Sequence, residues 1–123
     1  MDSKAAEDPS LTKAGLAAMA RHYLGGKSPL EGLADPLNAN LRGLPPILVH
    51  VGSREILLGD SIRLAEVAGA VGVPMRLEIW SNMIHVWHAF APVLLDGRQA
   101  IRVVADHIRS RGGFPPPGKL RPA

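Results

Sequence analysis

The stretch from Leu44 to Trp87 constrains this chain most, because its hydrophobic pattern changes character twice. Two short runs, Ile47–Val51 and Met75–Trp80, are rich in β-branched and large apolar residues and bounded by Pro or Gly, as strands are. Between them Ile62, Leu64, Ala65, Ala68 and Gly69 form a narrow apolar stripe at helical spacing, predicting a helix over Ile62–Ala70. Strand, helix and strand make a βαβ unit, whose strands should be parallel and whose crossover should be right-handed. One titratable residue stands just past each strand, Glu55 after the first and His85 after the second. Parallel sheets build their sites at the carboxyl ends of their strands, so both residues emerge where chemistry is usually placed.

The flanks read as helices and turns. Pro9-Ser10 predicts a helix start with Ser10 as N-cap. Leu11, Gly15, Met19 and Tyr23 then recur every fourth residue, with Leu16, Ala20 and Leu24 beside them. Gly25-Gly26 should end that helix. His22 falls in its last turn, where the helix dipole accounts for it. Residues 25–46 carry Gly25, Gly26, Gly32 and Gly43 with Pro29, Pro36, Pro45 and Pro46, predicting a long irregular connection with one helical turn near Pro29–Leu33. After Pro92 a last helix is expected from about Leu94 to Ser110, burying Ala100, Ile101, Val104, Ala105 and Ile108. The expected organisation is a loose N-terminus over residues 1–9, a partial α/β domain over 10–111, and a Pro/Gly-rich tail over 112–123.

Composition narrows the function classes. A chain of 123 residues is normally one domain, and 46% hydrophobic residues suit a soluble globular one. No run of apolar residues is long enough to span a bilayer. Met1-Asp2-Ser3-Lys4 lacks the apolar core of a signal peptide. The absence of Cys removes disulfides and thiolate metal sites and fits a cytoplasmic location. The net charge of +3 comes from 14 basic residues dispersed among 11 acids. A nucleic-acid footprint would be a clustered patch, so no nucleic-acid partner is expected.

Taken alone, Glu55 and His85 could be an exposed loop acid and a satisfied histidine. Yet Leu-Pro-Pro-Ile-Leu-Val-His-Val-Gly-Ser-Arg-Glu-Ile-Leu-Leu-Gly-Asp-Ser from Leu44, with Met-Ile-His-Val-Trp from Met83, resembles the C-terminal part of the hormone-sensitive-lipase family of α/β-hydrolase esterases. The likeness runs from about Pro9 to Arg109 and is most specific over residues 44–64 and 83–91. It implies an incomplete α/β-hydrolase fold: a helix, a long loop, the βαβ unit with parallel strands, and a C-terminal helix. It further implies that Glu55 is the acid and His85 the base of a Ser-acid-His triad, 30 residues apart. The family's acid-x-Leu-x-Asp pattern falls on Glu55, Leu57 and Gly59, with Gly59 a departure. A second departure is Ser81-Asn82 where Pro-Gly is expected, although Asn is the non-glycine residue that best tolerates a left-handed turn. Trp87 and Phe90 are candidates to line the acyl or alcohol pocket, against a plain core role.

A serine esterase also needs a nucleophile and oxyanion donors. No serine of this chain lies in Gly-x-Ser-x-Gly. Gly59-Asp60-Ser61 begins that way, but Ile62 and Arg63 follow, and Asp60 or Ser61 reads better as a helix cap. The His-Gly-Gly oxyanion loop is absent too. His85-x-x-His88 could be half of a metal site, but no third ligand stands at telling spacing, so no metal or other cofactor is expected. His50, within a strand, and His107, on the last helix, read as structural or solvated.

The expected function is thus a C-terminal fragment of a carboxylic ester hydrolase, inactive by itself. It would act on small esters if complemented by the missing N-terminal half. The alternative is a non-catalytic truncated remnant serving as an oligomerisation or binding module. With a bare strand edge beside Ile47–Val51, a homo-oligomer is expected.

Overall fold

The computed structural model describes residues 4, 6–30 and 34–112. The chain divides into two compact units, one running to His85 and the other beginning at Val86.

The first unit opens with helix α1, Lys13–Leu24. Its cap is Thr12 and not the expected Ser10: Thr12 Oγ1 accepts from Gly15 N at 3.1 Å. The Ser10 and Leu11 amides are already taken by the Asp8 carboxylate, at 2.8 and 3.0 Å, so the helix can begin only beyond them. Gly25 ends α1 in the left-handed conformation, φ 55°, and returns its N–H to Arg21 O. Residues 25–30 and 34–46 are largely irregular, stitched by Asp and Asn side chains that accept from amides two residues on, as at Asp35–Leu37 and Asn40–Arg42. The helical turn expected near Pro29–Leu33 falls partly outside the described residues.

Strand β1 runs Ile47–Gly52 and strand β2 Met75–Trp80. They pair in parallel, with Ile47 opposite Met75 and Gly52 opposite Trp80. Between them helix α2 spans Leu58–Ala70, starting earlier than its apolar stripe suggests. Neither Asp60 nor Ser61 caps it; the Ser61 hydroxyl donates to Leu57 O at 3.0 Å, inside the first turn. The core of this unit lies where α2 meets the strands. Leu41, Ala68 and Val73 are buried, and Ile47, Leu64, Val67, Val71 and Met75 pack against them. The other face of the sheet is polar in part: His50 stands opposite Glu78, with Nε2 at 3.2 Å from Glu78 Oε2. Trp80 Nε1 and Arg76 also contact that carboxylate. A carboxylate with several donors suits this half-buried place, because burying it alone would be costly.

The second unit begins with a single 3₁₀ turn, Trp87–Phe90, followed by helix α3, Leu95–Gly112. Gly97 is where the two meet. A Cβ there would stand 2.9 Å from Ala91 N and 3.1 Å from Trp87 O, so the site admits little more than hydrogen. The tail expected over residues 112–123 lies, from residue 113 on, outside the described residues. No helix among the described residues is long and apolar enough to cross a membrane.

Candidate active site

The carboxyl ends of β1 and β2 are adjacent because the strands pair in register, and the loops leaving them are tied together. Ser53 N donates to Trp80 O at 2.9 Å and Arg54 N to Met83 O at 3.2 Å. Ser53 Oγ in turn accepts from Asn82 N at 2.8 Å. Asn82 takes φ 60°, a left-handed turn that Asn tolerates best among non-glycine residues. This close approach is possible only because residue 52 has no side chain: a Cβ on Gly52 would lie 2.1 Å from Met83 O and 2.5 Å from its carbonyl carbon.

Out of this junction come the two titratable residues. Glu55 is 4% exposed. Its Oε1 accepts from Gly52 N at 2.7 Å, and its Oε2 lies 2.9 Å from His85 Nδ1. An ionised carboxylate can only accept, so the Nδ1 proton belongs to His85, and in the neutral imidazole the lone pair is then on Nε2. The His85 side chain is 34% exposed, against 5% for that of Glu55. The imidazole is thus anchored on its buried side and reachable on the other. The next residue is strained: Val86 is β-branched, yet held at φ 54°, a conformation costing about 1–3 kcal/mol.

A residue assigned to the loose N-terminus belongs to this neighbourhood. Asp8 is 8% exposed, and its Oδ2 accepts from Ile56 N at 2.9 Å, across 48 positions of sequence. Burial by itself would push its carboxyl up. The backbone donors of Ile56, Ser10 and Leu11, together with the positive charge available at His85, more than offset that and hold it below the ordinary aspartate value. Nothing local in Asp8-Pro9-Ser10 announced the bond to Ile56, although an Asp that accepts from amides two and three residues on is a known turn former.

The other candidates fall as follows. Trp87 is buried and lies against His88, ring centroids 4.1 Å apart, while Phe90 is half exposed on the same 3₁₀ turn. Ser61 lies in the first turn of α2, on a helix and not at a strand-to-helix elbow. A cleft of about 330 Å³ is lined by residues including Asp35, Leu37, Leu57, Asp60 and Leu64, none of them Glu55 or His85. No group of three or more acidic or histidine side chains among the described residues is arranged to hold a metal ion.

A family model for the alpha/beta hydrolase fold matches residues 1–89. The chain belongs to the α/β-hydrolase fold family. An acetyl-hydrolase of Streptomyces hygroscopicus is 41% identical over 111 residues, covering 90% of this chain and 37% of that protein. A carboxylesterase/phospholipase of Mycobacterium tuberculosis is 30% identical, covering 76% of this chain and 24% of that protein. Among solved structures, an esterase from the bacterial hormone-sensitive lipase family superposes with a TM-score of 0.87 at 46% identity, covering 89% of this chain and 37% of that one. An esterase/lipase from an uncultured bacterium gives 0.84 at 47%, covering 92% and 38%. The resemblance to the hormone-sensitive-lipase branch therefore stands, and the α/β-hydrolase chain described here spans little more than a third of the length of its first relative, 37%.

Proposed function

We propose that this α/β-hydrolase chain carries the acid and the general base of a carboxylic ester hydrolase, with nucleophile and oxyanion donors supplied by residues outside it. The observation that carries the reading is the 2.9 Å contact between Glu55 Oε2 and His85 Nδ1 at the ends of two paired parallel strands. Glu55 fixes the imidazole's tautomer and orientation. His85 Nε2 then takes the proton of an attacking serine hydroxyl, and the imidazolium so formed is stabilised by the carboxylate. The same histidine returns the proton to the departing alkoxide, leaving an acyl-serine that water hydrolyses by the same route. The substrate class is small carboxylic esters, in keeping with the esterases and lipases among its relatives. Trp87 and Phe90 are the residues we assign to the acyl or alcohol side of the pocket. No cofactor takes part.

Without a serine at an elbow, a positioned imidazole acting on water contributes only about 10²–10⁴-fold, whereas enzymes typically reach 10⁶-fold or more. The purified chain should hydrolyse p-nitrophenyl butyrate little faster than free histidine and take up no fluorophosphonate probe. Adding the N-terminal part of a related esterase, with its own Gly-x-Ser-x-Gly, should produce activity that His85→Ala removes. Probe labelling of the chain alone that Ser61→Ala abolishes would overturn the reading, as would complemented activity indifferent to His85→Ala.

A further inference from the structure

Glu55 must present its carboxylate to His85 from a tight turn, and a side chain is aimed by the backbone that carries it. Two soft dihedrals per residue set that aim, one on each side of Cα. The peptide plane before Glu55 is pinned within the turn, where Glu55 N donates to Gly52 O at 3.1 Å. The plane after it ends in the Ile56 N–H, which donates to Asp8 Oδ2 at 2.9 Å. One plane is therefore held by the acid's own loop and the other by a residue 48 positions earlier.

We propose that Asp8 is a positioning residue for the Glu55–His85 pair, acting through the Ile56 amide to fix the direction in which Glu55 leaves the backbone. The local role of Asp8 does not account for that bond. Closing the turn before α1 uses Oδ1 alone, which accepts from Ser10 and Leu11. Oδ2 is directed instead at the acid's loop, and the carboxyl is buried to do so. A bond from an amide to a charged acceptor is about twice as strong as one to a neutral acceptor, which suits a clamp on a turn that must not drift. The charge has a second consequence. Asp8 stays ionised at neutral pH and lies within electrostatic reach of His85, so the imidazolium of the catalytic cycle would face two carboxylates and not one. As a statement about catalysis this rests on the proposed reading of Glu55 and His85, but the clamp itself can be tested without any activity.

The test is nuclear magnetic resonance on the chain as it stands, with two local readouts and one global one. The local readouts are the hydrogen-exchange rate of the Ile56 amide and the downfield proton of His85 Nδ1 bonded to Glu55. The global one is amide protection along β1 and β2. Asp8→Ala should speed exchange at Ile56 by about ten- to a hundredfold, the size expected on losing a bond to a charged acceptor, and broaden or abolish the Nδ1 signal while the strands stay protected. Asp8→Asn offers one oxygen to amides that occupy both carboxylate oxygens in wild type, so it should protect Ile56 less than wild type and more than Asp8→Ala, with the Nδ1 signal following Ile56. Glu55→Gln should remove the Nδ1 signal and leave Ile56 protected, which separates the clamp from the pair. The proposal is overturned if Asp8→Ala leaves the Nδ1 signal intact. It is equally overturned if strand protection collapses together with it, since Asp8 would then be a general folding residue. Should Asp8 pass while complemented activity ignores His85→Ala, the clamp would stand and the catalytic reading would fall.

Discussion

Gly52→Ala would strike the junction from which both site loops leave. The added Cβ would sit 2.1 Å from Met83 O, more than an ångström inside the 3.4 Å at which ordinary contact begins. The obstacle is backbone, so no side-chain rotation can relieve it. One strand end must move, and whichever moves breaks the bond from Arg54 N to Met83 O. Forcing a methyl into a packed site costs about 1–3 kcal/mol. Losing that hydrogen bond adds about 1 kcal/mol. Together the loss is about 2–4 kcal/mol, a large share of the 5–15 kcal/mol that stabilises an ordinary domain. The displaced segment, Met83-Ile84, leads directly into His85, so the Glu55–His85 contact should open at the same time. Urea unfolding followed by circular dichroism should show a lower midpoint with unchanged slope. The His85 Nδ1 resonance should disappear. A Gly52→Ala protein within about 0.5 kcal/mol of wild type, with that resonance intact, would refute the argument that the strand ends meet too closely for a side chain.

Three further outcomes are expected. In a complemented esterase, Glu55→Gln should lower kcat by about 10⁴-fold with little loss of stability, because the amide favours the wrong imidazole tautomer; a drop below tenfold in initial-rate assays would deny Glu55 its role. Asp8 is held below its unfolded value of 3.8, so its contribution to stability is complete above that pH and is lost as the pH falls through its lower folded value; acid titration of stability should show this in wild type and lose it in Asp8→Asn. Finally, β1 pairs only with β2 among the described residues, leaving an open edge, and light scattering should find dimers or larger assemblies in place of a monomer.

Much of this molecule is local in origin and was therefore legible along the chain. Ile47–Val51 and Met75–Trp80 reappear as strands within a residue because short β-rich runs between Pro and Gly have few other uses. Gly25 ends α1 because it takes a left-handed conformation at no steric cost. Asn82 adopts its turn for a related reason. Helix starts are less legible, since the cap depends on which amides are already engaged: Asp8 claims those of Ser10 and Leu11, and Thr12 takes over. The 30-residue separation of Glu55 and His85 came from resemblance, not from any local rule. Their contact exists because a parallel register sets Gly52 beside Trp80 and so brings two loop origins together.

What only the tertiary structure decided is everything that depends on two distant segments sharing space. Gly52 looks like an ordinary strand end until Met83 O is found against it. His50 and Glu78 are unremarkable singly and become a cross-strand pair through register. Asp8 is the plainest case. An aspartate names its chemistry in the sequence, an acceptor of amides, but not its donor. A single residue type can satisfy any N–H within reach, and reach is a property of the folded chain. Sequence by itself thus determined which groups could act at this site, and the fold determined which of them meet.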